Sequence, residues 1–271
     1  MNAVLSKSLY HLDRARFALI HNASKEFNAT CNGNNIVQDD IFNIIKNYGC
    51  RSSQKIEIIR IPIKDEEFCA CTCVRKGRII IVSNSILPMS KQIFAAAHEL
   101  YHIIKFVNGE DEDFPLHGSI LKAEVLDDAD VESEDRDANA FAGLFLAPSN
   151  ALREQIDIYN ISTSGLRTRD IIRLMDIFAI PYKAVVLRLY EENLIDEKKA
   201  DDFLNTDVNV IENEIRLTGI ALRWQRKETS IIELGSLNEN MSVNEQLGFI
   251  TESRAESDKK RIQELIADIQ K

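Results

Sequence analysis

The sequence predicts an α+β protein in which a small antiparallel or mixed sheet packs on one long helix, followed by a mostly helical C-terminal half. Three observations carry that reading. Between residues 56 and 82, three short runs rich in isoleucine, valine and cysteine are separated by turn residues, as strands are. Ile93, Phe94, Ala97, Leu100, Tyr101 and Ile104 then recur at helical spacing. From residue 134 onward, acidic helix starts and apolar faces alternate with proline- and glycine-containing breaks.

Taken in order, Leu9, Leu12, Ala15, Ala18, Leu19 and Ala23 predict a helix over 6–28, and the Asn- and Gly-rich run 28–35 a loop. Asp39 and Asp40 precede Ile41, Phe42, Ile44 and Ile45, predicting a short helix with acid at its positive end and Gly49 as its stop. Strands are expected over 56–63, 68–74 and 78–82, the last two joined as a hairpin through Arg75-Lys76-Gly77. Ser90 is the expected N-cap of the next helix. Residues 109–133 form a long acidic connection, and 134–146 a second helix that ends before Pro148. Ser149 is the expected cap of another short helix through Ile156. Leu166–Phe178 and Pro181–Glu191 form a pair with a tight joint, similar to a helix-turn-helix unit, on which Arg167, Arg169, Arg173, Lys183 and Arg188 are basic. Beyond residue 196 come a polar helix, a segment 208–225 readable as strand or helix, the run Ile231-Ile232-Glu233-Leu234 and a charged helix over 243–271. The expected division is a core over 1–148, a helical unit over 149–195 and a C-terminal region over 196–271.

Composition narrows the function. Lys and Arg number 33 against 43 Asp and Glu, a net charge of -10 in 271 residues. That balance opposes broad adhesion to nucleic acid or to an anionic membrane, so direct DNA binding is not expected. Met1 to Ala18 lacks the uninterrupted apolar core of an export signal, and no run approaches the roughly 18 apolar residues of a membrane span. With five cysteines, at 31, 50, 69, 71 and 73, the expectation is a cytoplasmic protein with reduced thiols. Cys69, Cys71 and Cys73 alternate along one strand, a spacing that a metal or redox site can use; the reading adopted is packing of small apolar side chains under the sheet.

The stretch His98-Glu99-Leu100-Tyr101-His102 carries the chemistry. Histidines four apart on a helix project from one face, where both can hold a metal ion while the intervening glutamate serves as general base. A catalytic zinc commonly takes three protein ligands. His11 and His21 are far upstream, and His117 lies in the acidic connection. The second helix is the better source: Asp135 has Asn139 at i+4, so Asp135 can bind metal while Asn139 hydrogen-bonds a ligand histidine.

Ala97-His98-Glu99-Leu100-Tyr101-His102, the strand Ile79 to Val82 before it, and Asp137-Ala138-Asn139-Ala140-Phe141-Ala142 with Leu144, Leu146 and Pro148 after it together resemble the ImmA/IrrE-type metallopeptidases. The resemblance spans about residues 35 to 195. It implies a gluzincin-like core, His98 and His102 as zinc ligands, Glu99 as base, and a carboxylate ligand from the second helix. Asp135 stands where the family usually has glutamate; being one methylene shorter, it requires a closer helix, or Glu134 turns in instead. Tyr101 replaces the family's usual glycine, and its bulk is expected to narrow the pocket. Manganese or iron suits the same His-His-carboxylate set. The implied activity is site-limited cleavage of a helix-turn-helix repressor encoded nearby, inducing a stress or mobile-element programme. The alternative is a non-cleaving regulatory protein of the same fold that sequesters a repressor or serves as a toxin-antitoxin component. Tyr101, His117, Tyr159 and Tyr182 are the candidate donors to a developing oxyanion.

Overall fold

Alternating burial along three strands builds the sheet on which everything else rests. The computed structural model describes residues 1–31, 36–122, 133–219 and 231–270. Five strands form one mixed sheet: β1 (Lys55–Ile61), β2 (Phe68–Arg75), β3 (Arg78–Asn84), β4 (Ser119–Lys122) and β5 (Glu233–Leu234), in the order β4-β2-β3-β1-β5. β2 and β3 form the expected hairpin. Its two-residue loop, Lys76 and Gly77, has φ of 49° and 71°, the positive values that match the twist of paired strands. β1 runs parallel to β3, with Ile58 opposite Ile81, while β4 and β5 add antiparallel at the two edges. Ile58, Arg60, Thr72, Ile79 and Ile81 are buried on one face, and Ile59, Ile80 and Val82 are half-buried on the other.

The buried face receives the helix Met89–Val107, hereafter the histidine helix. Every residue from Gln92 to Ile103 in it is buried. A helix buried all round normally carries only apolar residues, so its four polar members, Gln92, His98, Glu99 and His102, each need partners. Its N-cap is Pro88, whose fixed φ suits the entry, and Ser90 lies inside the first turn, buried. The helix Ser133–Leu146, the carboxylate helix, packs along the histidine helix and is backed in turn by Arg14–Cys31. Phe141 and Phe145 stack at 5.8 Å and meet Phe27 edge-on, which fills the space between those elements.

Several boundaries differ from the sequence expectation for local reasons. The single helix expected over 6–28 is two, Leu9–Leu12 and Arg14–Cys31, preceded by Ala3–Ser6, because the Ser8 hydroxyl caps His11 and Asp13 accepts from the Arg16 amide. Gly49 does not stop its helix, which runs Ile41–Arg51; a Cβ there would lie 2.9 Å from the Gln54 carbonyl oxygen, so glycine permits the close return into β1. The acidic connection contains the helix Phe114–His117 and the edge strand β4, while residues 123–132 lie outside the described part. Pro148, not Ser149, caps the helix Ser149–Ile158. The C-terminal half is helical, with Thr168–Phe178, Tyr182–Glu191, Glu197–Leu204, Val208–Thr218, Leu237–Gln246 and Glu252–Ile269. The segment readable as strand or helix is thus helical to Thr218; its continuation over 220–225 lies outside the described residues. Among the described residues, no helix is long and apolar enough to cross a membrane.

Gly118 connects the Phe114–His117 helix to β4 at φ 64° and ψ -161°, a region that only glycine enters readily. A Cβ there would come within 2.4 Å of the Thr72 carbonyl oxygen. Gly118→Ala is therefore expected to lower stability by about 1–3 kcal/mol, read by denaturant unfolding, and to weaken protection of the β4 amides in hydrogen exchange.

Candidate metal centre

His98 and His102 stand one turn apart on the histidine helix and are almost wholly buried. Their Nε2 atoms face each other at 3.2 Å. Asp135, from the first turn of the carboxylate helix, brings Oδ1 to 3.5 Å from both. These are three ligand atoms within 4.8 Å of one another. Two imidazole nitrogens and one carboxylate oxygen converging in this way match the donors of a divalent zinc-type ion and leave room for a fourth ligand. The shorter aspartate reaches because its helix packs directly along the histidine helix.

The remaining nitrogens are also held. His98 Nδ1 lies 2.9 Å from Asn139 Oδ1, the i+4 neighbour of Asp135, as the spacing predicts. His102 Nδ1 lies 3.7 Å from Glu134 Oε1, which also accepts from Lys105 Nζ at 2.8 Å. Glu134 and Asp135 thus divide the work: Asp135 faces the shared Nε2 point, and Glu134 backs His102 from the opposite edge of the ring. Such outer contacts fix ring orientation. Burial alone would lower the His102 pKa, but the Asp135 and Glu134 carboxylates outweigh it and raise it to about 9. Glu134 is lowered to about 2, chiefly by its hydrogen bond to His102; Asp135 is lowered by the two imidazoles in spite of its burial. Phe114, fully buried, stacks on the His102 ring at 6.4 Å.

Glu99 turns to the sheet. Its Oε2 accepts from Thr72 Oγ1 on β2 at 2.6 Å and from the Ser119 hydroxyl on β4. Oε1 is buried and has no hydrogen-bond partner among the described residues. An orphaned carboxylate oxygen at full burial is costly, and its retention beside a cluster of ligand atoms marks a place where a further group binds. Thr72, Ser119 and Lys105 are contributors that the sequence reading did not name. Thr72 left a trace, being the polar residue on the inward side of an otherwise apolar strand.

Tyr101 does not narrow this pocket. It points to the other side of the histidine helix, where its ring packs 5.5 Å from Phe141 and its hydroxyl lies 3.4 Å from Asp137 Oδ2. The same oxygen accepts from Arg16 Nη2 at 2.6 Å, which ties the Arg14–Cys31 helix to the centre's rear. Of the other oxyanion candidates, Tyr159 is exposed under Arg173, and Tyr182 lines a separate cavity. His117 is half-exposed, with its ring 5.8 Å from Phe114. Of the basic residues on the helix pair, Arg188 is fully buried and spent on Glu191 and Glu192, and Arg167 pairs with Asp170. The alternating cysteines are free thiols: Cys69 is buried, Cys71 and Cys73 half-buried. None joins a metal-holding cluster among the described residues.

An α+β core with a buried two-histidine helix and a carboxylate from the neighbouring helix defines the class as metallopeptidase-type. Residues 51–190 match the peptidase M78 family model, the IrrE N-terminal-like domain, and the chain belongs to that family. The match holds all the residues that build the centre; Arg16 and the C-terminal helices lie outside it. No curated protein matches the chain.

Because Asp135 and Glu134 address different nitrogens, their variants separate. Asp135→Ala is expected to weaken Zn2+ or Co2+ binding by well over 100-fold, and Glu134→Gln by about 10- to 100-fold, measured by competition with a chromophoric chelator.

Proposed function

We propose that this chain is a zinc-dependent endopeptidase that cleaves one helix-turn-helix transcriptional repressor, releasing a stress-response or mobile-element programme. The observation that carries this reading is the convergence of His98, His102 and Asp135, with the intervening Glu99 holding one buried oxygen free. A divalent ion held by those three side chains supplies Lewis acidity, polarising a peptide carbonyl and acidifying water. Glu99 is anchored through Oε2 by Thr72 and Ser119, which leaves Oε1 to take a proton from the attacking water and return it to the leaving amine nitrogen. Asn139 and Glu134 keep the two imidazoles aligned through that transfer.

β4 supports a way to hold the substrate. It is an edge of the sheet and presents Ser119 beside Glu99. An extended polypeptide adding to that edge by backbone hydrogen bonds brings a peptide carbonyl to the carboxylate. A site this deeply buried suits one partner that can unfold locally into it, in keeping with the cleavage of a specific repressor that the family resemblance implies. The cytoplasm, where a repressor resides, is the compartment this reading requires. The non-cleaving reading drew on Tyr101 and on aspartate in place of glutamate. Tyr101 faces away from the ligand atoms and Asp135 stands at 3.5 Å from both imidazoles, so neither feature favours it.

Incubation of the full chain with the helix-turn-helix protein encoded beside it is expected to yield two fragments. A stable, uncut complex with the Zn2+-loaded protein would overturn the proposal. Glu99→Gln should lower the cleavage rate at least about 100-fold while metal binding is retained. In a third measurement, Thr72→Val combined with Ser119→Ala is expected to reduce kcat about tenfold at unchanged KM, since these hydroxyls orient the base and touch no substrate group.

A further inference from the structure

A cavity lies beside the metal centre. It has a volume of about 560 Å3, within the roughly 300–1,000 Å3 of small-molecule sites. It is surrounded by the amino-terminal residues 4–9, the start of the histidine helix, the carboxylate helix and the helices Thr168–Phe178, Tyr182–Glu191, Glu197–Leu204 and Val208–Thr218. Phe94, Met175, Leu187, Ile211 and Ile215 give it an apolar lining. Asn139 forms part of its wall, so the residue that orients His98 separates the cavity from the centre.

Its charged lining is mostly cationic. Lys7, Lys91, Arg136 and Lys183 line it, half-buried, in a chain whose net charge is -10. Lys91 and Arg136, one from each helix that builds the centre, make no ion pair among the described residues. Of the lining carboxylates, Glu191 is taken up by the buried Arg188, and Glu212 is exposed. Inside, the buried Tyr182 carries its hydroxyl beside those of Thr206 and Thr168. An apolar hollow with a cationic wall is complementary to a ligand with an apolar body and an anionic, hydrogen-bond-accepting head.

The geometry points to a binding site for a single-chain anionic amphiphile in this cavity, its head on Lys91 and Arg136 and its chain between the Tyr182–Glu191 and Val208–Thr218 helices. The site is independent of whether the neighbouring centre cleaves peptides, since no residue of the ligand triad contributes to it.

The test uses the full chain and the fluorescent anion 1-anilinonaphthalene-8-sulfonate, displaced by decanoate or by neutral decanol. Saturable one-to-one binding is expected, with decanoate displacing the dye at least about tenfold more effectively than decanol, the difference that one charge-assisted contact supplies. Ala184→Trp, which fills the cavity, should abolish binding. Lys91→Glu combined with Arg136→Glu should abolish the preference for decanoate, and this second variant decides the matter where the first fails to fold by circular dichroism. Absence of saturable binding, equal displacement by decanoate and decanol, or binding unaltered in both variants overturns the inference. So does displacement by peptides alone, which would make the cavity a polypeptide subsite.

Discussion

Four polar side chains, Gln92, His98, Glu99 and His102, sit in a helix that is buried on every side, and the surrounding structure is arranged to satisfy them. Desolvating an imidazole or a carboxylate without a partner costs several kcal/mol, so each needs a donor or acceptor delivered by a neighbouring element. Gln92 donates to the Ser85 and Leu87 carbonyls and accepts from Arg60. Glu99 takes hydroxyls from two strands, and the imidazoles are bracketed by Asn139, Asp135 and Glu134 from one helix. Only Glu99 Oε1 is left over in this set. The folding problem and the chemical problem therefore share one solution: the contacts that make burial tolerable also fix the orientation of every group a hydrolytic reaction would use.

Orientation comes from rigidity at a distance. The carboxylate helix can deliver Asp135 only if it lies close to the histidine helix, and the paired phenylalanines Phe141 and Phe145, locked against Phe27, set that approach. Behind them, Arg16 and Tyr101 meet on Asp137, two residues from Asp135. Tyr101 thus adds a buried polar tie on the rear of the helix pair. Its bulk is accommodated there, and the ligand face is unaffected.

How much of this was legible in the sequence follows from the range of the interactions. The hairpin, the histidine helix and the start of the carboxylate helix are set by local periodicity and turn chemistry, and they lie where the residues predict. The i+4 pairing of Asp135 with Asn139 is also local, which is why the His98 contact was foreseeable. The choice between Asp135 and Glu134 was not, since both occupy one helical turn and only the packing of two helices distant in sequence decides which faces the Nε2 atoms. Thr72 and Ser119 were hidden for the same reason: they meet Glu99 across 27 and 20 residues. β4 escaped notice because four residues in an acidic stretch, two of them polar, carry no strand periodicity, and its pairing with β2 supplies the order that its own sequence lacks.

The parallel pairing of β1 with β3 has a consequence for the centre. It places β2 outside β3, so that β2 presents its far side to β4 and the β4 edge lies over the Glu99 end of the histidine helix. Had β1 joined β2 in a simple meander, β2 would have been enclosed on both sides and no edge would stand beside the carboxylate. At the opposite edge, β5 covers β1, reinforced by Glu233 with Lys46 and Arg60 and by Ser236 with Glu57. One terminal strand is therefore anchored by ion pairs, and the other, β4, lies at the site. An exposed strand edge is normally a liability for aggregation, and among the described residues β4 is only four residues long. Its shortness limits unwanted pairing, and on the proposed function its backbone aligns one extended segment against the free oxygen of Glu99.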